Sequence, residues 1–181
     1  MIYIFLADGF EETEAIAPID MLRRAGMDVV MVGIKNDGVN SSHGVPVLCD
    51  MTDMQVELDE RLEMIILPGG MPGTLNIEAS PVVQQSIDYC VEHDIPIGAI
   101  CAAPSILGKK GLLNGREAIC FPGFEKFLEG AALSEKKVVT DGIFTTAKGA
   151  GVAVEFGLEL VRVLCGDEKS ESVRKAIQCA N

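Results

Sequence analysis

The sequence predicts an α/β domain built on a mostly parallel central sheet. Apolar runs of strand length occur at residues 2–6, 28–33, 63–68 and 96–100, and segments with helical periodicity follow several of them. Strands that alternate with helices in this way are typical of parallel sheets. No linker, repeat or low-complexity segment interrupts the chain, so we interpret residues 1–181 as a single domain, long enough to bury a substantial core.

The first strand–helix–strand unit is the clearest in the sequence. The strand at residues 2–6 leads into a helix predicted from Glu11 to about Ala25, and Gly26 ends that helix. Acidic residues in its first turn suit the positive end of the helix dipole. The strand at residues 28–33 completes the unit. Apolar residues recur along the helix at 3.6-residue spacing, at Ile16, Ile19, Met21 and Leu22.

The middle of the chain alternates between irregular and regular segments. Residues 34–50 are predicted to be largely irregular, with a short strand at residues 45–48. Pro46 indicates an edge strand rather than a central one, because proline cannot donate a ladder hydrogen bond. The strand at residues 63–68 ends in Gly69-Gly70. Ser80 then caps a helix that runs to about His93, before the strand at residues 96–100.

The last third of the chain contains one strong turn signal. Asp141-Gly142 between two apolar runs predicts a β-hairpin. Residues 119–128 show no clear pattern. The remaining predicted elements are strands at residues 138–141 and 143–146 and helices at residues 151–164 and about 168–178.

Composition excludes several functional classes. The net charge of −12 opposes binding to nucleic acid or to an anionic membrane, because neutralising phosphates requires clustered lysine and arginine. No apolar run has membrane-spanning length, and the N-terminus resembles a first strand rather than a signal peptide. We therefore expect a cytoplasmic protein without nucleic-acid or membrane partners.

The cysteines and histidines do not form a metal or disulfide pattern. Six cysteines lie far apart without a Cys-x-x-Cys pair, so free thiols are expected. The two histidines, His43 and His93, do not form a His-x-x-x-His pair, and no zinc site is expected. The Gly149-Ala-Gly151 segment lacks the third glycine of a dinucleotide fingerprint. It is interpreted as a turn that lets the following helix pack closely, and no cofactor is expected.

Cys101 is the strongest candidate for chemistry. It ends the strand at residues 96–100, and Pro104 suits the first turn of a following helix. The helix dipole and unpaired N–H groups at such a position favour the reactive thiolate, and the same N–H groups can stabilise an oxyanion. The alternative is that Cys101 is a small buried hydrophobic residue, as most free cysteines are.

Glu14 is the candidate partner of Cys101. Sites in parallel sheets lie beyond the carboxyl ends of the strands, where the turns at residues 7–14, 69–73 and 101–104 should meet. Glu14 either faces this crevice and hydrogen-bonds Cys101, or belongs to a solvated acidic first turn. A carboxylate beside the thiol would raise the pKa of the thiol unless the carboxyl group is itself protonated.

Gly69 and Gly70 end the strand at residues 63–68 at the same crevice. This pair can present a backbone N–H to a substrate oxygen, opposite the N–H of Ala102. The alternative is an ordinary strand-ending turn, which also favours glycine. Both interpretations remain open from the sequence.

These segments together resemble the DJ-1/PfpI superfamily. The resemblance rests on Glu-Glu-x-Glu at residues 11–14 and Ala-Ile-Cys-Ala-x-Pro at residues 99–104, supported by shorter matches at residues 6–10, 17–20, 22–26, 66–70 and 149–151. It implies a flavodoxin-like three-layer sandwich, a homodimer and a cysteine on a strained nucleophile elbow.

The resemblance also implies roles for individual residues. Cys101 matches the reactive cysteine and Glu14 the protonated glutamate that contacts it. Gly70 and Ala102 match the backbone donors that face the sulfur, with Gly69 beside them. Asp20 matches an acidic residue of the pocket.

Two positions depart from the pattern or leave it open. Phe121 stands where some family members carry a histidine, so a Cys-His-Asp triad is not assembled and a peptidase would lack its general base. His43 lies near the position of a basic pocket residue in relatives. The alternative for His43 is a histidine exposed on a loop.

The resemblance implies a glyoxalase or deglycase that needs no cofactor. Cys101 would attack methylglyoxal or a related 2-oxoaldehyde, and Glu14 would move the proton. An alternative function is an oxidative-stress sensor or chaperone in which Cys101 is oxidised to the sulfinate. A third is a cysteine peptidase or amidase.

Overall fold

Helices and strands alternate along most of the chain, as the apolar pattern predicts. The structure, a computed structural model, describes residues 1–179. Its α-helices are α1 (Glu12–Arg24), α2 (Gly73–Glu78), α3 (Pro81–Glu92), α4 (Pro104–Lys109), α5 (Ala153–Cys165) and α6 (Asp167–Ala176). Its strands are β1 (Ile2–Leu6), β2 (Val29–Gly33), β3 (Gly38–Asn40), β4 (Pro46–Leu48), β5 (Met51–Thr52), β6 (Met64–Leu67), β7 (Ile97–Ile100), β8 (Glu117–Ala118), β9 (Ala132–Leu133), β10 (Val138–Asp141) and β11 (Phe144–Ala147).

The central sheet has seven strands in the order β10-β11-β7-β6-β1-β2-β5. All neighbouring strands are parallel except β10 and β11, which form the antiparallel hairpin predicted at Asp141-Gly142. The predicted α/β class with a mostly parallel sheet is therefore confirmed. The chain proceeds from β1 outward to β2 and later returns to the other side of β1 with β6. This reversal leaves a crevice at the carboxyl ends of β1, β6 and β7.

Helices cover both faces of the sheet and give the molecule three layers. Strands β1, β6 and β7 are buried along their whole length, which explains why their sequences are continuous apolar runs. One core cluster packs α1, α5 and α6 against the sheet, and the other packs α3 and α4 against the opposite face. At the contact of α1 with α5, a Cβ on Gly157 would lie 2.8 Å from the Cα of Pro18, so glycine allows the close approach.

Most predicted elements form, with boundaries shifted by a few residues, and the short edge strand predicted at residues 45–48 is confirmed. This segment forms β4, which pairs with β3 in a separate two-stranded hairpin. The two edges of the main sheet are β10 and β5. The weak local pattern in residues 34–50 gives no sign of β3, the partner of β4, because short strands carry little periodicity. The sequence pattern also does not predict β3, β5, α2, β8 or β9.

The six α-helices of residues 1–179 have 6 to 13 residues each. None of them combines the length and the apolar character needed to cross a bilayer.

Candidate active site

Cys101 occupies a strained turn immediately after β7. Its φ angle is 64°, in the left-handed region that residues other than glycine rarely adopt, at a cost of about 1 kcal/mol. Two backbone hydrogen bonds hold the turn: the N–H of Cys101 donates to Ala147 at 2.9 Å, and its carbonyl oxygen accepts from the N–H of Phe121 at 2.8 Å. The strain matches the elbow that the resemblance implies.

Glu14 faces the crevice rather than solvent. Its side chain is 1% exposed, and its Oε2 accepts the backbone N–H of Gly69 at 2.9 Å. The N–H of Ala150 also hydrogen-bonds the carboxyl group. The Glu11 side chain caps α1 by accepting the N–H of Glu14 at 2.7 Å, which fixes the first turn of the helix. The crevice-facing alternative for Glu14 is therefore the observed one.

The buried environment of Glu14 changes its acidity. Burial raises the pKa of the carboxyl group to about 7, and the negative charge of Glu11 adds to this effect. Hydrogen bonds from the Cys101 thiol and from the amides of Gly69 and Ala150 oppose the shift. Glu14 therefore holds its proton up to neutral pH.

The Cys101 thiol is less acidic than its position beside a helix suggests. Burial, the negative charge of Glu14 and the hydrogen bond to Glu14 raise the pKa of the thiol to about 12. The backbone N–H groups of Ala102 and Gly70 hydrogen-bond the sulfur and oppose this rise. Desolvation thus outweighs the helix dipole, which by itself would favour the thiolate.

The acid–base behaviour of Glu14 and Cys101 belongs to the pair. Below pH about 7 the pair holds two protons, and above it one. The remaining proton can lie on the sulfur or on the carboxyl group. When it lies on Glu14, a thiolate faces the N–H groups of Gly70 and Ala102, and the protonated carboxyl group can donate to it. This arrangement combines a nucleophile, an acid and two oxyanion donors.

Glycine is required at both positions of the Gly69-Gly70 turn. A Cβ on Gly69 would lie 2.5 Å from Oε2 of Glu14 and 2.6 Å from Cβ of Cys101. Gly70 has a φ of 93°, and a Cβ there would lie 2.4 Å from the backbone nitrogen of Glu11. The turn therefore serves close packing around the pair as well as chain reversal.

A cavity of about 370 Å³ lies between Phe121 and the turn at residues 148–152. Phe121, which is 47% exposed, forms one wall of it, together with Pro122, Lys148 and residues 149–152. A Cβ on Gly149 would lie 3.3 Å from Cδ2 of Phe121 and 3.8 Å from Oε1 of Glu14. The phenyl ring of Phe121 supplies no general base, so this wall does not provide the imidazole of a peptidase triad.

The interpretation of Gly149-Ala-Gly151 as a helix-packing turn is wrong. Gly149 packs against Phe121 and near Glu14, while an added Cβ on Gly151 would meet no atom within 4 Å. The close approach between helices occurs at Gly157 instead. Sequence reasoning also misses the amide of Ala150 as a donor to Glu14, although the glycine-rich turn is a signal that could have found it.

Asp20 and His43 lie outside this arrangement. Asp20 pairs with Arg24, one turn further along α1, at 2.8 Å, and its role in the pocket stays a prediction. The His43 side chain is 69% exposed on the turn between β3 and β4, which confirms the exposed-loop alternative. Its Nδ1 lies 3.0 Å from Oε1 of Glu12.

A cluster at the start of α1 has the composition of a weak metal site. Ligand atoms of Glu11, Glu12 and His43 lie within 4.8 Å of one another. However, Glu11 already caps the helix and Glu12 already contacts His43. One oxygen of each carboxylate is thus engaged, while Oε2 of Glu12 is buried without a hydrogen-bond partner, and we assign no metal to this cluster.

Comparison with known proteins supports a single family. The family model described as the DJ-1/PfpI family matches residues 1–163. The Drosophila melanogaster protein dj-1beta is 34% identical over 180 residues, covering 98% of this chain and 96% of that protein. Glutathione-independent glyoxalase DJR-1.2 of Caenorhabditis elegans is 32% identical over 169 residues, covering 92% and 89%.

A solved structure from the same family has the same fold as this chain. The structure of oxidized Toxoplasma gondii DJ-1 superposes with a TM-score of 0.94 at 31% identity, covering 99% of this chain and 98% of that one. The match in fold extends over almost the entire chain, like the match in sequence. The protein therefore belongs to the DJ-1/PfpI family.

Proposed function

We propose that this protein is a glutathione-independent glyoxalase that converts methylglyoxal or a related 2-oxoaldehyde into the 2-hydroxy acid. The observation that carries the proposal is the buried Glu14 carboxyl group hydrogen-bonded to a partly exposed Cys101 thiol, with the amides of Gly70 and Ala102 on the same sulfur. The name of the Caenorhabditis elegans relative supports the same activity.

The first step is addition of sulfur to the aldehyde. The Cys101 thiolate attacks the aldehyde carbon, and the carbonyl π electrons move to oxygen. The protonated Glu14 carboxyl group gives its proton to that oxygen, so the product is a neutral hemithioacetal and Glu14 becomes a carboxylate. The N–H groups of Gly70 and Ala102 stabilise the developing negative charge.

The second step is an internal redox exchange that needs no external oxidant. The Glu14 carboxylate removes the proton from the former aldehyde carbon, which produces an enediolate, and returns it to the neighbouring carbon, while the hydroxyl proton on the former aldehyde carbon passes to the neighbouring oxygen. The aldehyde carbon is thereby oxidised to a thioester while the ketone is reduced to an alcohol. Water then hydrolyses the thioester and releases the 2-hydroxy acid and the thiol.

The proposed reaction would also account for a deglycase activity. Capture by Cys101 of the aldehyde that a reversible thiol or amine adduct releases would give deglycase activity. We also propose a cytoplasmic location, because a reduced Cys101 fits the reducing conditions of the cytoplasm.

We further propose a homodimer. It would cover exposed apolar side chains on the β3–β4 hairpin and on α1, namely Val45, Leu48 and Ile16.

The test is consumption of methylglyoxal and formation of lactate without glutathione. The wild-type protein should turn over, and Cys101→Ser should fall to the background rate, because a serine hydroxyl in this site lacks a strong base to activate it. Cys165→Ser is the matched control, since Cys165 is also partly exposed and contacts Met27 on another part of the surface. Equal turnover in the wild type and Cys101→Ser would disprove the proposal.

A second candidate function is sensing of peroxide by Cys101. The Toxoplasma gondii relative is described as oxidized in its solved structure. In this chain the Gly70 and Ala102 amides could donate to the oxygens of a sulfinate, and protonated Glu14 could donate as well. Two molecules of peroxide would supply the two oxygens and be reduced to water.

Intact mass after mild peroxide treatment tests this candidate. A gain of two oxygens on Cys101, without oxidation of the partly exposed Cys165, would support sensing. Comparable oxidation of both cysteines would count against it. The experiment is independent of the aldehyde assay, so the two functions can be judged separately.

A further inference from the structure

We infer that the cavity beside Phe121 binds the substituent of the 2-oxoaldehyde and selects aromatic or branched alkyl groups over methyl. The cavity is the one lined by Phe121, Pro122, Lys148 and residues 149–152. The inference rests on the proposed function, because it names the substrate class of the same site.

The position of the cavity follows from contacts between its walls and the reacting pair. The backbone N–H of Phe121 donates to the carbonyl oxygen of Cys101 at 2.8 Å. On the other wall, the N–H of Ala150 bonds the Glu14 carboxyl group, and a Cβ on Gly149 would lie 3.8 Å from Oε1 of Glu14. The walls thus contact Glu14 and the backbone of Cys101, and we place the substituent of an aldehyde on Cys101 in this cavity.

The residues that line the cavity favour an apolar substituent over a charged one. A phenyl ring, a proline ring, small aliphatic side chains and backbone form most of the lining, and Lys148 supplies the charge among the lining residues. Lys148 is exposed at the rim. The volume of about 370 Å³ is within the usual range of ligand pockets and exceeds what a methyl group fills. An aryl group would cover apolar surface that methylglyoxal leaves in water.

Alkylating ketones test the cavity without requiring turnover. The hemithioacetal contains the sequence S–CH(OH)–C(=O)–R, and the product of a bromomethyl ketone contains S–CH₂–C(=O)–R with the same spacing. The thiolate attacks the methylene carbon and bromide leaves. Intact mass gives the rate of Cys101 alkylation, and each rate is divided by the rate of the same reagent with a small free thiol. This normalised rate should be higher for 2-bromoacetophenone than for bromoacetone by about tenfold or more.

Filling the cavity should remove this preference. An added Cβ on Gly151 meets no atom within 4 Å and its φ is not left-handed, so Gly151→Leu should be accepted by the backbone and occupy the cavity. The expected result is a normalised ratio close to one. Gly38→Leu is the matched control, because Gly38 is equally open but lies on β3, and it should keep the wild-type ratio.

Three results would overturn the inference. The first is a wild-type ratio near one, and the second is a ratio that Gly151→Leu leaves unchanged. The third is a faster normalised rate with bromopyruvate that Lys148→Gln abolishes, since this would show selection of an acidic substituent by Lys148. Any one of them is sufficient.

Turnover assays separate this inference from the proposed function. Phenylglyoxal should have a higher kcat/KM than methylglyoxal in the wild type, and Gly151→Leu should reverse or equalise them. Methylglyoxal turnover without an aryl preference would overturn the inference and leave the proposed function standing. An aryl preference in alkylation with no turnover of either aldehyde would support the cavity and overturn the proposed function.

Discussion

Glu14→Gln is expected to lower the turnover of methylglyoxal by about 10²- to 10⁴-fold, the usual contribution of a positioned acid–base group. The glutamine oxygen can still accept the N–H of Gly69, so the side chain should stay in place. An amide can neither give a proton to the aldehyde oxygen nor remove one from carbon. The measurement is the initial rate of lactate formation without glutathione, compared with the wild-type protein.

The pH profile of the same variant should identify the lost group. In the wild type the rate should rise through pH about 7, because the pair must lose one of its two protons before the sulfur can carry charge. In Glu14→Gln the rise near pH 7 should be absent. The rate should instead rise only at alkaline pH, where the Cys101 thiol itself loses its proton. A variant that keeps the rise near neutral pH would show that another group controls the reaction.

Stability measurements provide a control with a predicted sign. The carboxyl group of Glu14 has a pKa of about 7 in the folded protein and an ordinary value of 4.5. Between these values the folded state binds more protons than the unfolded state, so the free energy of unfolding should fall as pH rises. The total loss is about 3 kcal/mol, and Glu14→Gln should lack this slope in urea titrations from pH 4 to 8.

Gly69→Ala is expected to reduce turnover by about 10²-fold or more and to lower the free energy of unfolding by about 1–3 kcal/mol. The added Cβ would lie 2.5 Å from Oε2 of Glu14, 2.6 Å from Cβ of Cys101 and 3.0 Å from the carbonyl oxygen of Ile100. The Cβ of Cys101 and the carbonyl oxygen of Ile100 are fixed by the backbone and cannot move away cheaply, whereas Oε2 is the far end of the Glu14 side chain and can move. The carboxyl group must therefore be displaced from the sulfur.

Gly38→Ala is the matched control for this substitution. An added Cβ at Gly38 meets no atom within 4 Å, and its φ is not left-handed. Its turnover and its urea midpoint should both stay close to the wild-type values. Normal activity in Gly69→Ala would mean that the separation of Glu14 and Cys101 is not important for catalysis.

Much of the fold could be predicted from local pattern. Strands β1, β6 and β7 are continuous apolar runs because both of their faces are buried. Asp-Gly between two apolar runs is a strong β-hairpin signal, and Asp141-Gly142 joins β10 to β11. The short strands β3, β5, β8 and β9 have two or three residues each and escape sequence-based prediction. A period of two cannot be recognised over so few positions.

The sequence by itself determined the α/β class and the position of Cys101 at a strand end. Only the tertiary structure decided that Glu14 faces the sulfur, that Ala150 supplies an amide to it, and that the pKa of the thiol is raised rather than lowered. The physical reason is that periodicity reports which side of one element is buried. Desolvation, charge and hydrogen bonding at the site depend on α1 and on the turns after β6, β7 and β11, which meet only when the chain folds.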